Sequence, residues 1–180
     1  MKTRLLILII LLTFKSIASY SQDTFDLTIH HDTRFLFAGD DRGNHVGTID
    51  IIVQLEIPLI KFPKSYIYFY PSLEHAYLHR NEQDTNESAF NRYAIGAGFI
   101  RKDLFFKNFN VGISSNFGYI LRENKQARSW GLNIEISYRL TKRFSLSYMH
   151  QIVERSDLAF LYNETSNIKK SALLGFKVQF

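Results

Sequence analysis

Trp130-Gly131-Leu132-Asn133-Ile134-Glu135-Ile136-Ser137-Tyr138-Arg139-Leu140 carries an apolar or aromatic residue at every even position and a small or polar one at every odd position. Successive side chains of a β-strand point to opposite faces, so an unbroken period of two marks a strand with one apolar and one polar side. The preceding stretch repeats the pattern, with Phe109, Val111, Ile113, Phe117, Tyr119 and Leu121 on one face and Asn110, Gly112, Ser114, Asn116 and Gly118 on the other. Earlier still, Ile49, Ile51, Val53, Leu55, Ile57 and Leu59 alternate past Asp50, Gln54 and Glu56.

Extended along the chain, this reading predicts eight strands, near 23–38, 45–59, 65–79, 91–101, 108–122, 128–140, 143–155 and 170–180. No window of helical period competes with them. The intervening breaks show no repeat, linker or low-complexity tract, so residues 22–180 form one domain. The odd-numbered connections, 39–44, 80–90, 123–127 and 156–169, are on the whole longer than the even-numbered ones, 60–64, 102–107 and 141–142. An up-and-down barrel in an outer membrane has this asymmetry, with short turns on the side of the termini and longer loops on the other.

Alternation alone does not say which face is buried. A soluble barrel turns its apolar face inward and a membrane barrel turns it outward to lipid. Three features favour the membrane barrel. The strands are long enough for a tilted membrane crossing. The polar face carries Glu56, Glu74, Arg92 and Glu135 in mid-strand among Gly, Asn and Ser, which suits a lumen in which opposite charges can meet. Aromatic residues gather near strand ends, among them Tyr66, Phe69, Trp130, Tyr138 and Phe144, as interfacial girdles require.

Residues 1–21 are built differently. Lys2 and Arg4 precede an apolar run from Leu5 to Phe14, and Ser19-Tyr20-Ser21 supplies a small-x-small site. That is the pattern of a secretory signal peptide, with cleavage expected before Gln22, and the run is too short for a membrane-spanning helix. Its removal takes Lys2, Arg4 and Lys15 with it. The basic count then falls from 22 to 19 against 17 acidic residues, and the net charge from +5 to +2. The basic character is thus partly a targeting feature, and no nucleic-acid partner is expected. With no cysteine in the chain, disulfides, thiolate metal sites and a lipid-modified N-terminal cysteine are all excluded.

The last strand, Leu173-Leu174-Gly175-Phe176-Lys177-Val178-Gln179-Phe180, resembles the C-terminal signature of bacterial outer-membrane barrels: alternating apolar residues, a glycine five before the end and a terminal aromatic. Leu173 stands where that signature is usually polar. The resemblance implies that Gly175, Phe176, Val178 and Phe180 form the signal read by the barrel-assembly machinery. Residues 22–180 as a whole look like the small barrels typified by the outer-membrane protein A transmembrane domain. This implies an all-β, eight-stranded antiparallel up-and-down transmembrane β-barrel in a Gram-negative outer membrane, in contact with lipid and lipopolysaccharide. Eight strands leave an interior just wide enough for side chains. Arg34, Glu56, Glu74, Arg92, Glu135 and Arg139 are therefore expected to form a polar network filling the lumen, leaving a structural or surface-contact role through loops 80–90 and 156–169 and no open diffusion pore.

Two other functions are compatible with the residues. Lipid A 3-O-deacylases are also small outer-membrane barrels, and the stretch Ser147 to Ser156 is similar in location to their catalytic segment. The resemblance carries over to His150, with Glu154 on the same face to orient the ring. The nucleophile position is Ile152, however, and Ser156, the nearest substitute, lies up to about 20 Å from His150 along an extended strand. The other alternative is a secreted soluble barrel holding an apolar ligand inside. No cofactor or metal is expected. His30 and His31 fall on opposite faces, and His75 and His79 are too far apart along one strand to chelate an ion alone; these histidines are expected at the surface or in a girdle.

Overall fold

A computed structural model describes residues 25–39, 46–78, 88–122, 124–157 and 168–180. Residues 1–24, which include the expected signal peptide, and most of loops 39–44, 80–90 and 156–169 lie outside the described residues. Eight strands, β1 (Asp26–Asp32), β2 (Ile49–Phe62), β3 (Ser65–Leu78), β4 (Ser88–Arg101), β5 (Phe109–Arg122), β6 (Lys125–Arg139), β7 (Phe144–Glu154) and β8 (Ile168–Gln179), each pair antiparallel with the next. β8 returns to pair antiparallel with β1, from Asp26↔Gln179 to Asp32↔Leu173, and closes the barrel. Closure pairs β2 and β8 with β1 along the length of β1, and a backbone surrounded by hydrocarbon requires such pairing.

The faces separate as the period of two demands. Asn133, Glu135 and Ser137 of β6 point inward and are buried, while Trp130, Ile134, Ile136 and Tyr138 point outward and are exposed. The same holds on β5, with Ser114 and Asn116 inside and Ile113 and Phe117 outside. Outward positions such as Ile95, Phe117 and Leu146 are more than half exposed, at 60%, 59% and 53%. An apolar jacket around the whole barrel far exceeds what a monomer exposes to water, and it matches the lipid-facing band of a transmembrane barrel. A soluble barrel with an apolar ligand inside needs the reverse distribution, so that alternative fails.

Four local expectations are corrected. The first strand does not run to residue 38. It stops at Asp32, whose carboxylate accepts from the Arg34 backbone N–H at 2.9 Å and caps a short helix, α1 (Thr33–Phe37). α1 leans on β8 through Thr33 Oγ1, which donates to the Ala172 carbonyl at 2.8 Å, and buries Phe35. The connection placed at 123–127 is shorter than expected, because β6 starts at Lys125, and Asn124 just before it has φ 60°. A left-handed residue of this kind is what a tight hairpin uses. Tyr66 does not join a girdle: it points into the lumen with Tyr68 and Tyr70, all three buried. Because β3 has aromatics or aliphatics on both faces here, polarity could not reveal which face was which. Finally, the alternation of β2 breaks beyond Pro58, where the register with β3 shifts from Pro58↔Tyr68 to Ile60↔Ile67. Leu59 is the extra residue of this bulge, and the parity of everything after it is reversed.

Candidate functional site

The lumen is the region in which the polar residues of all eight strands meet. Nearest the end where β1 starts and β8 finishes, Lys177 of β8 reaches across to β2 and β6. Its Nζ lies 2.8 Å from Glu56 Oε1 and 2.7 Å from Glu135 Oε1. Thr28 Oγ1 donates to Glu56 Oε1 at 3.1 Å, and His30 Nε2 shares a 2.8 Å hydrogen bond with Ser147 Oγ. A buried charge is tolerated only when paired and hydrogen-bonded. Glu56, with Lys177 and Thr28 as donors, meets that condition, and Glu135 is held by its ion pair with the same lysine.

The middle layer is built on β3, β4 and β5. Tyr70 lies across the lumen and donates to Ser114 Oγ at 3.1 Å, while Asn116 and Asn133 donate to its hydroxyl oxygen at 3.0 and 3.3 Å. The rings of Tyr68 and Tyr70 lie over Gly98 and Gly96, where an added Cβ would sit 2.5 Å from ring carbons. Those glycines are floor space for tyrosine. Arg92 of β4 lies 3.6 Å from Glu74 and donates to Ser129 Oγ at 2.8 Å and to Asn116 Oδ1.

Toward the loop end, Arg155 holds Asp157 in a two-pronged pair, both bonds at 2.9 Å, and Arg122 approaches the same carboxylate at 3.4 Å. The Arg155 guanidinium also lies 3.8 Å from the centre of the Phe90 ring. Burial pushes the Asp157 carboxyl up, but the hydrogen bonds and charge of Arg155 and the charge of Arg122 outweigh it and hold the group below its ordinary value.

Of the six residues expected in the network, Glu56, Glu74, Arg92 and Glu135 lie buried inside the barrel. Arg139 lies at the mouth where β1 starts and β8 finishes, and its guanidinium donates to Asn108 Oδ1 at 3.1 and 3.3 Å. Arg34 is displaced to α1, half-exposed, and pairs with Asp32 at 2.7 Å. The strand on which it was placed ends two residues earlier. Sequence reasoning missed Lys177, which binds two of the four buried members. Its inward position follows from the alternation of Leu173 to Phe180, since it shares a face with Gly175. It also missed the lumen tyrosines and His30, which is fully buried and not at the surface or in a girdle. His75 is exposed on the outer face and bonds Asn91 Oδ1 at 2.8 Å; His79 lies outside the described residues. Among the described residues, no group of three or more His, Asp or Glu is placed to hold a metal ion.

His150 faces outward on β7 between Ile134 and Ala172 in register, neither of which can act as a nucleophile. Glu154 shares that face, and Ser156 lies beyond the strand end. The C-terminal residues form the closing seam. Phe176 stacks on Phe144 at 5.8 Å, Phe180 stacks on Phe25 at 5.0 Å, and Val178 pairs with Leu27 and Phe144. A Cβ on Gly175 would collide with the Ile29 carbonyl oxygen and press on the His30 ring at 2.7 Å, so glycine is what lets His30 lie flat against β8.

No protein-family model and no curated protein sequence matches this chain. Among solved structures, the crystal structure of Neisserial surface protein A superposes with a TM-score of 0.51 at 12% identity, covering 89% of this chain and 98% of that one. The backbone structure of the Yersinia pestis outer membrane protein Ail in a phospholipid bilayer nanodisc superposes with a TM-score of 0.53 at 9% identity, covering 88% and 100%. At such identities the likeness is one of architecture, and the chain has the fold of the small eight-stranded outer-membrane barrels.

Proposed function

We propose that this chain is a Gram-negative outer-membrane barrel, exported by a cleaved N-terminal signal peptide, with a structural or surface-contact role and no open diffusion pore. The observation that carries this reading is the pairing of an apolar jacket with a lumen whose polar side chains are packed against one another. Glu56, Tyr70 and Asn133 are each 1% exposed, and Arg92 is 2% exposed. Side chains lining a water-filled channel would be wet, so the middle layers act as a plug of ion pairs and hydrogen bonds.

The outward face contacts lipid and lipopolysaccharide, and the seam residues Gly175, Phe176, Val178 and Phe180 present the strand read by the assembly machinery. Loops 80–90 and 156–169 form the contact surface for an extracellular partner. The reading is tested in two steps. Unboiled and boiled samples on a detergent gel are expected to migrate differently, as a folded membrane barrel does. In planar bilayers the native protein is expected to give no channel steps, and the double substitution Tyr70→Ala with Arg92→Ala is expected to give them. Steady conductance by the native barrel overturns the plugged-lumen account.

A further inference from the structure

The mouth of the barrel at the end where β1 starts and β8 finishes has a charge pattern that lipid contact and lumen packing do not explain. A cavity of about 60 Å³ opens there, and Lys61, Lys102, Arg139, Lys142 and Arg143 stand in its wall against a single acid, Asp26. They come from different parts of the chain. Lys102 is in the β4–β5 connection, Lys142 and Arg143 are in the β6–β7 turn, and Arg139 ends β6 on its inward face. Lys61 owes its place to the bulge after Pro58. In unbroken alternation an odd residue of β2 faces outward with Ile57, but the shifted register pairs Lys61 with the lumen-facing Tyr66. A bulge that re-aims one lysine inward is a constructed feature of the mouth.

We infer that this mouth binds a phosphate group. At roughly 10–15 Å³ of such space per water, the cavity holds about four to six waters, enough room for one tetrahedral oxyanion. Ser137 and Ser145 add hydroxyl donors to the wall, and Lys177 forms its floor. Lys177 is already held between Glu56 and Glu135 and offers no net positive charge, so the attraction comes from the cations of the wall, above all Lys102, Arg139, Lys142 and Arg143. Asp26 accepts from the Tyr66 hydroxyl at 3.4 Å and opposes an anion, which gives the site a signed test. Arginine and lysine together supply directional and diffuse donors for phosphate oxygens. The group has two sources, a free phosphate in the aqueous compartment or the headgroup of an anionic phospholipid.

The full barrel is reconstituted in nanodiscs of phosphatidylcholine, and inorganic phosphate is titrated against it by ³¹P NMR. Saturable binding is expected. A triple substitution of exposed turn residues, Lys102→Gln, Lys142→Gln and Arg143→Gln, is expected to weaken it at least tenfold, and Asp26→Asn is expected to tighten it. A folded-barrel gel shift checks that the variants are intact. In nanodiscs containing phosphatidylglycerol, loss of the phosphate signal identifies the lipid headgroup as the occupant, and an unchanged signal identifies free phosphate. Absence of saturable binding in phosphatidylcholine discs, or equal affinity in the native and triple-substituted proteins, overturns the inference. Because the readout is anion binding at one mouth, it is independent of whether the middle of the lumen conducts.

Discussion

Lys177 on the closing strand and Glu56 on β2 face each other across the lumen, with Nζ 2.8 Å from Oε1, although 121 residues separate them in sequence. Since Glu135 binds the same ammonium at 2.7 Å, one cation ties β8 to both β2 and β6. Removing it strands two buried carboxylates without their shared cation. Lys177→Met is therefore expected to destabilise the folded barrel by about 3–5 kcal/mol, the usual cost of breaking a buried ion pair from one side. Adding Glu56→Gln and Glu135→Gln is expected to restore part of that loss. Urea unfolding in detergent, followed by the folded-barrel gel band, measures both, and equal stability of the native and Lys177→Met proteins contradicts the assignment.

The β1–β8 seam depends on a residue with no side chain. Gly175→Ala places a methyl group against the Ile29 carbonyl oxygen and the His30 ring, and backbone cannot retreat without disturbing the ladder. Folding yield is expected to fall sharply. Gly112→Ala is the contrast: its nearest neighbours are Ile100 Cγ1 at 3.0 Å and the Phe99 carbonyl oxygen at 3.4 Å, a far milder crowding, and a much smaller loss of yield is expected. Refolding into detergent micelles compares the two, and equal yields mean that the seam tolerates a Cβ.

At the loop end, the Asp157 carboxyl sits below its ordinary value because Arg155 and Arg122 stabilise its charged form. A carboxylate whose value is depressed on folding contributes stability that is present above its unfolded value and lost as pH falls through its folded one. Acid below the ordinary carboxylate range is thus expected to loosen this end of the barrel. Asp157→Asn is expected to remove that part of the acid dependence while lowering stability at neutral pH. Unfolding midpoints measured across pH for the two proteins check the sign, and identical pH profiles refute it.

The architecture was largely legible because its main signal is local. Alternation in β5 and β6 depends only on neighbours along one strand, and seven of the eight strands stand close to where that pattern puts them. What escaped depended on distance or on a mixed face. In β3, Tyr66, Tyr68 and Tyr70 point inward while Ile67 and Phe69 point outward, so residue polarity could not rank the two faces. Lys177 looked like one polar position in a terminal motif, because its partners are brought to it only by closure of the barrel. Arg34 was misplaced because the Asp32 carboxylate ends β1 by capping a turn of helix. The parity of Lys61 followed from a register shift that no single strand reveals.

Whether the outward face of this barrel lies in lipid hydrocarbon can be read from the native chain, which contains one tryptophan. Trp130 points outward on β6 and is 42% exposed, opposite Phe117. The barrel is reconstituted in bilayers whose acyl chains carry bromine, and Trp130 emission is compared with that in unmodified lipid and with its response to aqueous acrylamide. Strong quenching by the brominated chains, with little quenching by acrylamide, is the predicted result. Emission quenched by acrylamide and indifferent to bromine would place the outward face in water and not in lipid.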